Sequence, residues 1–206
     1  MLVGKLVTLR ALTEADLPRL TEFKNDVEYE LLGGGDPPRP RSLALVQEFF
    51  EAQVKDKDSP VFAIDADSQL IGECGLHHVD RRSGTAEVGI GIGDRAYWGR
   101  GYGREALSLL VDYGFRMQNF RKLWLEVHGS NERAIRSYQA VGFAEEGRQR
   151  EQTWSGGRYE DVVLMGLFRS DFRSDFRSDF RSTPADSAPA DSAPAYSAPA
   201  DSAPAD

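Results

Sequence analysis

The sequence contains one cysteine, three histidines and no long apolar run among its 206 residues. A single cysteine, Cys74, excludes an intrachain disulfide, so the chain is expected in a reducing compartment, the cytoplasm. No stretch approaches the ~18 apolar residues of a membrane helix, and the alternating start is unlike a signal peptide. We therefore expect no membrane partner and no metal site.

Basic residues are also in deficit, with 25 Lys and Arg against 33 Asp and Glu, a formal net charge of −8. This acidity argues against a nucleic-acid partner. It is compatible with a cationic substrate.

The end of the chain differs in composition from the rest. Residues 168–182 repeat Phe-Arg-Ser-Asp with period four, and residues 184–206 repeat Pro-Ala-Asp-Ser-Ala with period five. The proline-rich block has too little apolar bulk to form a core. The sequence predicts one domain over residues 1–168 and a low-complexity tail over residues 169–206, disordered or loosely docked. The phenylalanines of the first repeat leave open a contact with a second subunit in a homodimer.

Residues 85–106 are the centre of the pattern. Val88, Ile90 and Ile92 alternate with period two, which predicts a strand. The other face of this strand carries a carboxylate and three glycines: Glu87, Gly89, Gly91 and Gly93. Glycines weaken a strand because they pack nothing, and one reason to keep them is close approach by a ligand.

A glycine-rich basic loop, residues 98–103, follows this strand and leads into a helix. N–H groups at such a helix start bind phosphate oxygens, and Arg100 and Arg104 add charge. The alternatives are an ordinary tight turn and a dinucleotide fingerprint, G-x-G-x-x-A, with Glu126 after it. That fingerprint requires its first glycine directly at the strand end, whereas here polar and aromatic residues intervene.

The rest of the chain supplies the other elements. We predict one strand over residues 2–12, a helix from Thr13 and a loop over residues 25–41 with a short helical turn. A helix capped by Ser42, a hairpin over residues 61–79 and the central unit follow, and the last strand covers residues 162–168. The β–α–β unit implies parallel neighbours and the hairpins antiparallel ones. The fold class is therefore α/β, a mixed twisted sheet flanked by helices.

Two motifs carry a family resemblance. Residues 97–102 read Y-W-G-R-G-Y, and the pattern N-x-x-A-x-x-x-Y-x-x-x-G-F is complete from Asn131 through Tyr138 to Phe143. Over residues 2–168 the chain resembles the GNAT superfamily of N-acetyltransferases, within it the RimJ/RimL-like branch. Trp98 stands where the superfamily pattern has Gln or Arg, a departure usual in that branch.

The resemblance implies a sheet splayed between the fourth and fifth strands, with acetyl-CoA as cosubstrate. The pantetheine arm would lie along the fourth strand and the pyrophosphate on the loop that opens the next helix. The residues that this assigns to the cofactor are Gly89, Ile90, Gly91, Ile92, Trp98, Gly99, Arg100, Gly101, Tyr102, Gly103, Arg104 and Asn131.

The implied reaction is direct attack of a primary amine on the thioester in a ternary complex. An ammonium has no lone pair, so a base must take its proton; Glu87 is the candidate and Glu126 the reserve. Tyr138 would protonate the departing thiolate. The acceptor stays open between a protein N-terminus, a polyamine, an amino acid and an antibiotic amine. The alternative function is a non-catalytic acyl-CoA-binding module. His77 and His78 are expected to be structural or solvated.

Overall fold

The computed structural model describes residues 1–33 and 37–173, with only the backbone of Val54. The helices and strands follow the chain in this order: β1 (Leu2–Val3), β2 (Thr8–Ala11), α1 (Leu17–Lys24), α2 (Val27–Gly33), α3 (Leu43–Lys55), β3 (Val61–Ala66), β4 (Gln69–Asp80), β5 (Thr85–Ile92), α4 (Tyr102–Arg116), β6 (Lys122–His128), α5 (Glu132–Val141), β7 (Ala144–Ser155) and β8 (Arg158–Phe168). Among these residues, no helix is long and apolar enough to cross a bilayer.

The strands form a single mixed sheet in the order β1-β2-β3-β4-β5-β6-β8-β7. Only β5 and β6 pair in parallel, through the crossover helix α4, and the other described neighbours are antiparallel. The predicted α/β mixed sheet is therefore confirmed. The last strand is longer than predicted, because β7 and β8 form one long hairpin around Gly156 and Gly157.

Helices cover both faces of the sheet. Adjacent residues of β3 point to opposite faces, and Ala63 packs in one buried cluster while Ile64 packs in the other. The larger cluster contains the buried face of α4, including Leu107 and Leu110. The smaller cluster lies under α1 and α3, so these helices and α4 are on opposite sides.

The predicted strand over residues 2–12 is wrong in one respect, because the chain turns back and forms two short antiparallel strands. The turn is fixed by Glu105, a buried carboxylate in the first turn of α4. Its oxygens accept hydrogen bonds from the backbone N–H groups of Lys5, Leu6 and Val7 at 2.9, 2.5 and 2.8 Å. This partner is about a hundred residues away, so local periodicity carries no sign of it.

The region predicted as a loop with a helical turn contains α2, and the ends of the segment are tied together. The side-chain amide of Asn25 donates to the carbonyl of Arg41 and its oxygen accepts from the Arg41 N–H, both at 2.9 Å. Asp26 also accepts from Arg95, just after β5, at 2.8 Å. These bonds hold α2 beside the end of β5.

An acid-sensitive ion-pair network joins β2 to the start of α1. Arg10 contacts Asp16 at 2.7 Å and Asp65 at 2.6 Å. Burial opposes the charge on Asp16, but hydrogen bonds from Arg10 and Thr13 outweigh it and hold its pKa below the usual 3.8. Because the folded-state pKa is the lower one, this stabilisation is present above about pH 4 and disappears as the pH falls through the folded pKa.

We therefore expect Asp16→Asn to lower stability at pH 7 by about 2 kcal/mol and to flatten its dependence on pH below about pH 4. Thermal melts of both proteins between neutral and acid pH provide the measurement. Parallel curves for the two proteins would show that Asp16 contributes no acid sensitivity.

Residues just beyond β8 still pack on the domain. The Arg169 N–H donates to the carbonyl of Arg121 at 2.9 Å, and its side chain donates to the carbonyl of Phe120 at 2.8 Å. The Phe172 ring lies 5.5 Å from that of Phe115. The remainder of the predicted tail, residues 174–206, lies outside the described residues.

Candidate active site

The sheet opens between β5 and β6. Their parallel pairing joins residues 85–87 to residues 122–124. In the described part of the chain, residues 88–92 have no strand partner on that side. β5 and β6, which were predicted as the fourth and fifth strands, therefore splay as predicted, and backbone groups of residues 88–91 along this edge of β5 are available to a ligand.

The loop after β5 is folded onto the strand by side-chain bonds. The Trp98 indole N–H donates to the carbonyl of Ile92 at 2.6 Å. Gly99 and Gly101 have φ angles of +69° and +93°, a left-handed conformation that favours glycine. This conformation turns the chain so that α4 begins beside the splayed edge, with its positive dipole end there.

A cleft of ≈ 590 Å³ lies between the end of β5, this loop, α5 and α2. Most of the predicted site residues line it: Ile90, Gly91, Ile92, Trp98, Gly99, Arg100, Gly101, Gly103, Arg104, Asn131 and Tyr138. Three predicted residues do not line it: Glu87, Gly89 and Tyr102. Tyr102 instead packs edge-on against Tyr97, with ring centroids 4.9 Å apart, and against the core.

The glycine face of β5 is not bare, which corrects the reason given for its glycines. A Cβ on Gly93 would overlap the Phe23 ring, and one on Gly91 would overlap the Tyr29 hydroxyl. At Gly89 a Cβ would lie 3.0 Å from the His77 ring. The glycines admit these rings of the protein itself, so the unpaired edge of β5, rather than this face, is open to a ligand.

Glu87 lies on this same face, outside the cleft, in a cluster with both histidines. Consecutive strand residues normally face opposite ways. This alternation is interrupted by a register shift after His77 and by a φ of +43° at His78. As a result, the His77 ring covers Gly89 and His78 Nδ1 contacts the Glu87 carboxylate. The His78 ring also stacks on Trp124 at 6.4 Å. In the described residues no three His, Cys, Asp or Glu side chains are arranged to hold a metal ion.

Tyr138 of α5 and Asn131, the residue just before this helix, reach the cleft from the other side. Tyr138 is half-buried, and burial raises its pKa to about 12, so its hydroxyl stays protonated at neutral pH. Asn131 caps the helix, since its side-chain oxygen accepts from the Ala134 N–H at 3.2 Å. Gly142, with a φ of +114°, ends the helix in a left-handed conformation.

Sequence reasoning missed part of the lining. The cleft also contains Tyr29, Leu32, Gly33, Arg133, Arg136, Ser137 and Ala140. Arg133, Arg136, Ser137 and Ala140 are related by spacings of three, four and seven residues, so they share one face of α5, and that spacing was present in the sequence. With Arg133 and Arg136, four arginines line the cleft, and the Arg133 guanidinium lies 4.2 Å from the Trp98 ring centroid. Cations beside a helix N-terminus suit an anion such as a pyrophosphate.

The chain was compared with known proteins. The family model described as acetyltransferase (GNAT) domain matches residues 7–144. Spermidine N(1)-acetyltransferase of Vibrio cholerae is 30% identical over 165 residues, covering 80% of this chain and 94% of that protein. N-alpha-acetyltransferase RimI of Mycobacterium tuberculosis is 30% identical over 145 residues, 70% of this chain and 82% of that protein.

A solved structure agrees with the fold. The spermidine N-acetyltransferase from Vibrio cholerae, in complex with CoA and spermine, superposes with a TM-score of 0.75 at 29% identity, covering 82% of this chain and 98% of that one. The family match spans most of the sheet together with the cleft. The chain therefore belongs to the GNAT acetyltransferase family and is an acetyl-CoA-dependent N-acetyltransferase.

Proposed function

We propose that this enzyme acetylates a primary amine of a polyamine, with the acetyl group delivered along the unpaired edge of β5. The proposal rests on one observation: the unpaired edge of β5 borders a cleft that is lined by four arginines. The polyamine class is supported by the similar spermidine N-acetyltransferases and by the net charge of −8. A protein N-terminus is the second candidate, because RimI is also similar.

The cofactor would lie across the loop and the strand. Arg100, Arg104 and the N–H groups that begin α4 would hold the pyrophosphate. The pantetheine amides would bond to the edge of β5 near Ile90 and Gly91 and to the side-chain amide of Asn131. Gly89 would act by admitting the His77 ring beside the strand, and Tyr102 by packing against Tyr97 and the core, rather than through contact with the cofactor.

The chemistry would use two proton transfers. Glu87, held by His78, takes a proton from the acceptor ammonium through water, with Glu126 as the reserve base. The amine nitrogen then bonds to the acetyl carbon, and backbone N–H groups near Gly91 stabilise the oxyanion. As the C–S bond breaks, Tyr138 donates its proton to the thiolate, and the amide nitrogen loses its second proton to solvent.

Several finer assignments belong to the same proposal. The Y-W-G-R-G-Y run supports the RimJ/RimL-like branch. Cys74 is a buried free thiol, compatible with the cytoplasm. We propose no nucleic-acid or membrane partner, and a homodimer remains a proposal.

The test is release of free thiol from acetyl-CoA with a panel of amines: spermidine, spermine, a peptide with a free N-terminus, and a free amino acid. We expect turnover to be fastest with the polyamines. Acetyl-CoA at a hundred times its Kd should stabilise the folded state by about 3 kcal/mol and so raise the melting temperature. NAD should leave the melting temperature unchanged. Preference for the peptide would contradict the polyamine assignment. A melting shift without thiol release from any amine would favour the non-catalytic alternative.

The tail supplies a second test. We propose that the domain extends past Phe168 at least to Phe172, since Arg169 and Phe172 contact the body. Removing residues 174–206 is expected to change turnover and melting temperature little. Removing residues 169–206 should cost about 2 kcal/mol of stability through the loss of the Phe172 packing and the Arg169 bonds. Loss of activity or a changed mass in solution for the shorter deletion would show that the repeats belong to the working enzyme.

A further inference from the structure

Tyr29 of α2 reaches the cleft at the point where the thioester is expected. It lines the cleft together with Ile90 and Gly91. A Cβ built on Gly91 would overlap its hydroxyl oxygen, so this oxygen lies directly against the Gly91 backbone. The sequence predicted a loop with a short helical turn around Tyr29 and no role for this residue, and the two proposed proton transfers do not involve it.

The hydroxyl makes no hydrogen bond within the described residues. The ring is half-buried, whereas the hydroxyl oxygen is accessible from the cleft and can therefore donate to a ligand there. The rest of the ring is fixed by neighbours. The Lys24 ammonium lies 5.5 Å from its centroid and the Phe23 ring 6.3 Å from it. A rigid donor is thus directed at the cleft with nothing in the described chain to accept its proton.

The surroundings keep this group a donor. Burial raises the pKa of Tyr29 well above its usual value, against the opposing effect of Lys24. Lys24 is itself paired with Glu73 at 2.7 Å, and Glu73 is the register partner of Gly91 on β4. The ammonium above the ring favours partial negative charge on the phenol oxygen when that oxygen donates. The group therefore suits stabilisation of an anion without giving up its proton.

We infer that the Tyr29 hydroxyl donates a hydrogen bond to the acetyl carbonyl oxygen of acetyl-CoA and to the oxyanion formed from it. The inference rests on the proposed position of the thioester near Gly91. Two donors of different kinds, a backbone N–H of β5 and the phenol of α2, would then act on one oxygen. The phenol keeps its proton throughout, whereas Tyr138 gives its proton to sulfur. Tyr29 is in this sense a second catalytic tyrosine.

The first test is Tyr29→Phe, with Tyr159→Phe as the matched control because Tyr159 is exposed on the β7–β8 hairpin. Using the best amine of the panel, we expect Tyr29→Phe to lower kcat about 10²-fold, with KM for the amine within about twofold. The control should match the wild type, and all three proteins should melt alike. Unchanged kcat, or a raised KM for the amine with kcat intact, would overturn the inference, the latter by making Tyr29 an acceptor contact.

A binding measurement makes the inference independent of the acceptor. S-ethyl-CoA lacks the carbonyl, so the preference for acetyl-CoA over S-ethyl-CoA reports the hydrogen bond directly. Calorimetry should give a preference about fivefold smaller in Tyr29→Phe than in the wild type. An equal preference in both proteins would overturn the inference even if the enzyme were fully active on polyamines. A reduced preference would support it even if polyamines were not accepted.

Gly91→Ala adds a coupling test, since its Cβ would displace the hydroxyl. If Gly91→Ala displaces the hydroxyl, it lowers kcat by itself. Adding Tyr29→Phe to this variant should then lower kcat by less than about threefold further. Fully additive losses in a double variant that still melts like Gly91→Ala would contradict the shared role.

Discussion

Tyr138→Phe is expected to lower kcat about 10²-fold while acetyl-CoA affinity stays within about twofold of the wild type. The substitution removes only the proton that the departing thiolate needs and leaves the ring in place. Burial raises the pKa of Tyr138 to about 12, so the donor is fully protonated over the working range of pH. Initial rates of thiol release and calorimetric binding of acetyl-CoA measure the two quantities.

Tyr113→Phe is the control for Tyr138, because the Tyr113 hydroxyl accepts from the side chain of Gln118, just after α4, and Tyr113 does not line the cleft. It should keep the wild-type kcat. If Tyr138→Phe did so too, Tyr138 would be only a packing residue of α5, beside Phe143 at 6.3 Å.

Glu105→Ala is expected to destabilise the folded protein more than Asp16→Asn does. It leaves three N–H groups of the β1–β2 turn without their acceptor, one of them buried, and removes a carboxylate from the first turn of α4. We expect a loss of about 4 kcal/mol and a fall in melting temperature of about 10 °C. Thermal and denaturant unfolding measure both.

Glu132→Ala offers a comparison with an exposed carboxylate in the first turn of another helix. Glu132 is the first residue of α5 and is paired with Arg136 at 3.0 Å. Its loss should cost less than about 1 kcal/mol. Similar melting temperatures for the two alanine variants would mean that the bonds of Glu105 to the turn contribute no more than a surface carboxylate does.

The sequence predicted what depends on local spacing. Alternation identified β5, the glycine-rich stretch identified the loop that leads into α4, and the spacing from Asn131 to Phe143 identified the family motif that α5 carries. These features follow from residues a few positions apart, so periodicity and turn chemistry reach them.

The features that the sequence did not predict depend on contacts between distant segments, or on a break in the usual alternation of side chains along a strand. The bonds from Glu105 to the N-terminal turn and the approach of Tyr29 to Gly91 join segments far apart in the chain. Alternation along a strand would place His77 and His78 on opposite faces, but the left-handed backbone of His78 lets its side chain reach Glu87, the register partner of His77. A backbone of that kind is strained and is often kept where function needs it.

The short parallel seam between β5 and β6 has a consequence for how the molecule opens. Only three register pairs join the strands on either side of it, so the two halves of the sheet should behave as separate cooperative units in amide exchange. A cofactor bonded to β5 and α5 would bridge these units. Acetyl-CoA would then slow exchange on both sides of the seam at once, and so act as the missing stretch of sheet that makes the halves unfold together.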